Sequence, residues 1–395
     1  MLRPRLLPLL FLGCAVLFSG CGKGGPKVVH TGGLNPVAPI APAGAAGQVT
    51  KNTTRLGGSS PAEDAAAVAT AVHPPGQPPE TVVLVNQSDL GLALAASVLV
   101  GQPLNAALLY SEAGGVPAPT EAALKGLSPS GAKALEGAQI LTVGGAAAPS
   151  SYKARSLPGT GEAGQAASLL KVQEGLTGTA PKRVLVVDAK TEPAYALPAA
   201  ALAAGFGTPI LLVERNGVPQ ATAEALAALH HPKIYVIGPP KAVSEAVLRR
   251  LAGFGSVKRI AAETPAEQSV TVSRFSEEGF GFGILEPGHG LAFVDDRDPL
   301  DAPAAAALAT AGDFAPTLVL ESPSTVPQPI VTYLEDIRGA YSNTVPPYRS
   351  LYNHGWIVGG AEAISLAVQD RIDGLLEITK RATATPSPAY APEGG

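Results

Sequence analysis

The apolar positions along this chain come in short unbroken blocks, not in alternation. "VVLV" at 82–85, "VLVV" at 184–187 and "LAFV" at 291–294 are each flanked by polar residues or turn formers. Blocks of this length predict strands buried on both faces, the pattern of a parallel sheet covered by helices. An alanine-rich stretch and a second block follow each one: "NAALLY" at 105–110, "TPILLV" at 208–213 and "APTLVL" at 315–320. Then come a helical stretch with a proline near its start and a third block running into a glycine turn, "ILTVGG" at 140–145, "IYVIGP" at 234–239 and "WIVGG" at 356–360. Strands alternating with helices in this order predict an α/β fold of three layers, each with three or more parallel strands.

The blocks coincide with internal repetition. "TRLGGSSPAEDAAAVATAV" starts at Thr54 and "KRIAAETPAEQSVTVSRF" at Lys258, with Arg55 and Arg259 at the same offset and "PAE" recurring at 61–63 and 265–267. "ARSLPGTGEAGQAASLL" places Arg155 about midway between them. The copies span 51–150, 151–254 and 255–380. Two long uncharged stretches, 91–110 and 194–213, break at Gly and Pro, so each predicts a buried helix followed by a buried strand, not a membrane span.

The elements "TRLGG…AEDAAAVA", "DAPAAAALA…TLVL" and "WIVGGAEAISLAVQDRI" resemble the second type of cell-wall-binding repeat (CWB2), over about residues 54 to 379. The resemblance implies three tandem flavodoxin- or Toprim-like (Rossmann-like) units packed around a pseudo-threefold axis. It also implies that they hold a surface protein to an anionic wall polymer without a covalent bond. This chain departs from the family pattern where a second Arg is usual, having Pro61 and Pro265. The family's Asp-Ala-Leu element survives as Asp301 in the third copy, with Leu92 and Tyr195 in its place in the others.

The chain begins with a processing signal. Arg3 and Arg5 precede the apolar "LLPLLFLGCAVLF", and "LFSGC" puts Ser19 and Gly20 before Cys21. This resembles a bacterial lipoprotein signal over residues 1–20, with lipidation at Cys21; an ordinary secretory signal with an incidental cysteine is the alternative. Both cysteines lie in this segment, so the remainder is expected to have no disulfide and no thiolate chemistry. Residues 21–50 predict a flexible Gly/Pro/Ala tether and 381–395 a disordered tail. The formal charge of −4 becomes about −6 without the two signal arginines, and no Lys/Arg cluster longer than a pair remains, which argues against nucleic acid as a partner. The expected location is extracytoplasmic, lipid-anchored at the membrane and facing the wall.

Candidate chemistry is sparse. "GTGEAG" at 159–164 has the dinucleotide spacing G-x-G-x-x-G, but charged "KARSLP" precedes it and the sister copies lack it. A helix-capping loop is the favoured reading, and no cofactor is expected. "VDDRDPLD" gathers Asp295, Asp296, Asp298 and Asp301 past the end of a strand. A metal is not expected there, but Asp296 and Asp298 are the residues that would hold one. The long segment 339–356 carries Tyr341, Tyr348, Arg349, Tyr352 and Trp356, suited either to glycan contact or to packing a seam. Arg55, Arg155 and Arg259 are ligand-contact candidates or structural ion pairs, and Asp301 joins the ligand candidates. Gly144, Gly238 and Gly359 predict tight turns that could also receive an anion. No H-E-x-x-H or G-x-S-x-G sequence occurs, so no catalytic residue is assigned.

These features favour a non-enzymatic lipoprotein that binds wall polymer or polysaccharide. The alternatives are a solute-binding lipoprotein of a transporter and a metal-dependent hydrolase or phosphotransferase using Asp295 to Asp301.

Overall fold

The computed structural model of the protein describes residues 49–310, 314–343 and 345–380. The signal, Cys21, nearly all of the tether and the 381–395 tail lie outside them.

The described chain is a mixed α/β fold with three four-stranded parallel sheets. In the first copy the order is β1 (Thr53–Leu56), α1 (Pro61–Val72), β2 (Val82–Asn86), α2 (Leu90–Ala96), β3 (Ala107–Ser111), α3 (Ala118–Leu127) and β4 (Ile140–Val143). The second runs β5 (Ala154–Ser156), α4 (Gly161–Thr177), β6 (Arg183–Val187), α5 (Ala199–Phe206), β7 (Ile210–Leu212), α6 (Gln220–Ala228), β8 (Lys233–Ile237) and α7 (Glu245–Leu251). The third runs β9 (Ser256–Ile260), α8 (Pro265–Arg274), β10 (Gly290–Asp295), α9 (Asp301–Ala305), β11 (Thr317–Leu320) and α10 (Gln328–Asp336). It ends with β12 (Ala340–Tyr341), β13 (His354–Val358), α11 (Leu366–Leu376) and β14 (Thr379–Lys380).

The three apolar blocks of each copy supply three strands of its sheet, and the fourth strand comes from elsewhere. The sheet orders are β3-β2-β4-β5, β7-β6-β8-β9 and β11-β10-β13-β1. The opening strand of the second copy, β5, thus pairs with β4 of the first, and β9 pairs with β8 of the second. Strand β1 closes onto the last copy, with Thr54 opposite Trp356 and Arg55 opposite Ile357. These opening strands are partly polar: β5 is exposed throughout, and β9 is exposed at Ser256 and Lys258 and buried only at Ile260, as suits sheet edges.

Local sequence sets the helix starts. Ser60 caps α1 by accepting from the Glu63 amide, with Pro61 in the first turn; Thr264, Pro265 and Glu267 repeat the device in α8. Glu63 and Asp64, or Glu267, put negative charge at the positive end of the helix.

The alanine-rich helices α2, α5 and α9 are buried against one another, with the single turns 97–99 and 306–309 that extend α2 and α9. Alanine at the contacts lets their backbones approach closely. A Cβ on Gly101 would lie 2.0 Å from the Ala204 carbonyl oxygen, so only glycine fits there. No described helix is long and apolar enough to cross a membrane.

Candidate functional site

The three equivalent arginines do not converge on one groove. Arg55, on β1, is 4% exposed and donates from Nε to Gln369 Oε1 at 3.0 Å. Its other nitrogens donate to the carbonyls of Gly359 and Gly360, both at 2.8 Å, and of Ile364 at 2.6 Å. Arg259, on β9, does the same for the second copy, donating to Gly238 O at 2.7 Å, Val243 O at 2.8 Å and Glu245 Oε1 at 3.0 Å. Each guanidinium thus holds the carbonyls of a glycine turn and of the loop that starts the next helix, α11 or α7. Arg155, on β5, is exposed and ion-paired to Glu136 at 3.3 Å.

The glycine turns themselves follow β4, β8 and β13 with φ of +68° at Gly144, +115° at Gly238 and +109° at Gly359. Their amides are already engaged, Gly144 with Gln165 Oε1, Gly238 with Ile260 O and Gly359 with Leu56 O. One residue of the same copy packs on each turn, as contacts of a notional Cβ reveal: Leu92 against Gly144, Tyr195 against Gly238 and Asp301 against Gly359. These are the three positions where the copies differ in the Asp-Ala-Leu element.

Facing these residues is a polar side chain from the first turns of α1, α4 or α8. Gln268 accepts from the Ala262 amide and donates to Ile260 O; Gln165 accepts from Gly144. Asp64 holds the same place on α1 as Gln268 on α8, accepting from the Gly58 amide at 2.6 Å. The seam between the third and first copies is therefore the one that opposes two carboxyls, Asp64 and Asp301. Sequence reading passed over Asp64. The clue was available, because it stands at the Gln268 offset from the shared "PAE".

Both acids are buried, Asp301 fully. Burial raises Asp64 to about 6 against the opposing effect of the Gly58 amide, and burial next to Asp64 holds Asp301 well above the ordinary carboxylate range. Burial also pulls the Arg55 guanidinium down, while Asp64 acts in the other direction. A cavity of about 760 Å³ adjoins this seam, lined by Arg55, Gly58, Ser60, Glu63, Asp64, Arg297, Asp298 and Glu362. Asp301 lies behind that wall.

The acids of the run after β10 stay near one another but take different partners. Asp295 is buried and takes a bidentate pair from Arg297, at 2.7 and 3.0 Å, while Asp301 turns toward Asp64. Asp296 is raised by burial and by Asp295. Among the described residues no group of three or more His, Cys, Asp or Glu could hold a metal ion. The "GTGEAG" segment follows the exposed edge strand β5 and opens α4, beside a cavity of about 350 Å³ that includes Glu162, Lys190 and Glu214.

The aromatic segment is a second, separate candidate surface. Tyr348 and Tyr352 are 67% and 62% exposed, and Arg349 is exposed between them. Tyr341 is half-buried in β12, and Trp356 packs edge-on against His354 within β13. Buried Asn353 pins the segment, accepting from the Gly288 and His289 amides and donating to Ile337 O at 2.8 Å.

Comparison with known proteins places this architecture. The fold is similar to that of Cwp6 from Clostridium difficile, with a TM-score of 0.67 and 17% identity over 84% of this chain and 50% of that one. It is also similar to Cwp8 from Clostridium difficile, with a TM-score of 0.62 and 19% identity over 83% of this chain and 52% of that one. The chain spans about half the length of these solved structures. No curated protein matches it. At the level of sequence family, residues 163–248, from α4 into α7, match cell wall binding domain 2 (CWB2).

Proposed function

We propose that this protein is a non-enzymatic, membrane-anchored cell-wall-binding lipoprotein, held by lipid at Cys21 and contacting wall polymer or polysaccharide through three CWB2-like units. The observation that carries this reading is the CWB2 match at 163–248, which falls on one of three α/β layers with the same strand order. That shared order also supports arrangement of the layers about a pseudo-threefold axis. The transporter and hydrolase alternatives find less support. Three layers do not make two lobes closing on a cleft, and within the acidic run Asp295 is paired with Arg297 while Asp301 is turned to Asp64.

The surface best suited to a glycan is the pinned aromatic segment. Two exposed tyrosines offer apolar faces and hydroxyl tips, with Arg349 between them to meet an anionic group. Arg55 and Arg259 are committed to backbone carbonyls and serve the scaffold instead.

Co-sedimentation of the full chain with purified cell wall tests the function, and protein left in the supernatant at every salt concentration would overturn it. The double change Tyr348→Ala and Tyr352→Ala is expected to cut wall binding by tenfold or more without changing the unfolding midpoint. Unchanged binding would remove the aromatic segment from the contact surface while leaving the wall-binding reading standing.

A further inference from the structure

The closing seam carries a feature the other two lack. Its opposed side chains are Asp301 against Asp64, where the corresponding pairs are Leu92 with Gln165 and Tyr195 with Gln268. The amide pairs are satisfied without protonation: Gln268 both accepts and donates to backbone, and Tyr195 donates to Glu263 O at 2.5 Å. The acid pair is not. No donor among the described residues reaches either oxygen of Asp301, and a carboxylate alone cannot donate to another. A hydrogen bond joins these two side chains only while at least one of them carries a proton.

The backbone is shaped to bring them together. A Cβ on Gly57 would fall 2.2 Å from Asp64 Oδ1, and one on Gly359 would fall 2.9 Å from Asp301 Oδ2. These two glycines also sit at the ends of β1 and β13, the strands that join the first copy to the last.

We propose that Asp64 and Asp301 form a proton-operated latch: a shared proton holds α1 and β1 against α9 and β13, and its loss sets two buried carboxylates against each other and loosens this seam. The surroundings do little to neutralise the resulting charge. Asp64 faces Glu63 on its own helix and Asp298 across the seam; Asp301 faces Asp298 and Asp295, with the Tyr110 ring of β3 nearby. Of the nearby cations, Arg297 is paired with Asp295, while Arg55, whose hydrogen bonds go to neutral carbonyls and Gln369, keeps its charge and offsets part of that on Asp64. Because both acids are raised in the folded state, their contribution to stability is complete below the unfolded carboxylate range near 4 and is lost as pH rises. One proton leaves through about 6, and the other leaves a carboxyl that burial and its acidic neighbour also hold well above the ordinary range. The two steps belong to the pair, not to either residue.

Hydrogen exchange on the full chain between pH 5 and 8 tests the latch, using protection factors corrected for the intrinsic rate. The Gly355 amide, bonded to Asn52 O, and the Gly359 amide, bonded to Leu56 O, cross this seam; the Gly238 amide, bonded to Ile260 O, crosses the seam between the second and third copies. Protection at Gly355 and Gly359 is expected to fall by up to about tenfold per pH unit for one proton released, while Gly238 stays level. If all three amides move together, or none moves, the latch does not exist. Asp64→Asn keeps an acceptor for Gly58 and supplies a permanent donor to Asp301, so it is expected to flatten the pH dependence at Gly355 and Gly359; Asp301→Asn should do the same from the other side. A slope that survives in whichever variant folds also overturns the proposal. The wild-type comparison decides the matter should neither variant fold.

Discussion

The seam where β1 meets β13 and the seam where β5 meets β4 use equivalent residues and reach opposite outcomes. Arg55 is buried among three carbonyls and Gln369, whereas Arg155 is exposed beside Glu136. The difference lies in the segment after the strand formed by the third apolar block of each copy, β4, β8 or β13. After β13 the chain enters α11 and after β8 it enters α7, and the turns into those helices point carbonyls at the arginine. After β4 the chain passes through 144–153 with no helix before β5. A guanidinium needs converging acceptors to be buried at acceptable cost, and the first copy does not provide them. An arginine repeated in sequence is therefore not one repeated in role.

Three substitutions test this contrast. Arg55→Ala leaves the Gly359, Gly360 and Ile364 carbonyls and Gln369 without their donor, and is expected to cost about 4 kcal/mol. Trp356, the one tryptophan, lies opposite Thr54 in β1, so its fluorescence during urea unfolding reports on that seam. Arg259→Ala removes two carbonyl partners and a half-exposed carboxylate; about 2 kcal/mol is expected, read by exchange at the Gly238 amide. Arg155→Ala is expected to change the unfolding free energy by no more than about 0.5 kcal/mol, since an exposed ion pair contributes little. Equal losses for Arg55 and Arg155 would refute the acceptor argument.

The strands of the apolar blocks were legible because apolar residues dominate each, and the periodic recurrence of those blocks pointed to three layers from sequence alone. The opening strands were not. β5 is "ARS", three residues long, and β9 is "SVKRI", too polar for a buried-strand pattern, and edge strands with one exposed side carry little hydrophobic signature. Their pairing with the preceding copy is a long-range event that no local pattern encodes. The arginines were found by repetition, but their separation into buried and exposed depended on a helix present in two copies and missing from one. Asp64 carries no signal of its own because its significance comes from Asp301, which lies more than two hundred positions away in sequence and adjacent in space.

Closing β1 onto β13 sets an order of events during biogenesis. The first described strand leaves the ribosome about three hundred residues ahead of the strand it must join, so it has to wait while everything between them is made. Until β13 emerges, the Arg55 guanidinium has none of its eventual acceptors and the edge of β1 is unprotected. Completion of this sheet is thus reserved for β13, and a truncated chain lacking β13 and α11 would leave the first copy's opening strand unpaired as well as the third copy unfinished.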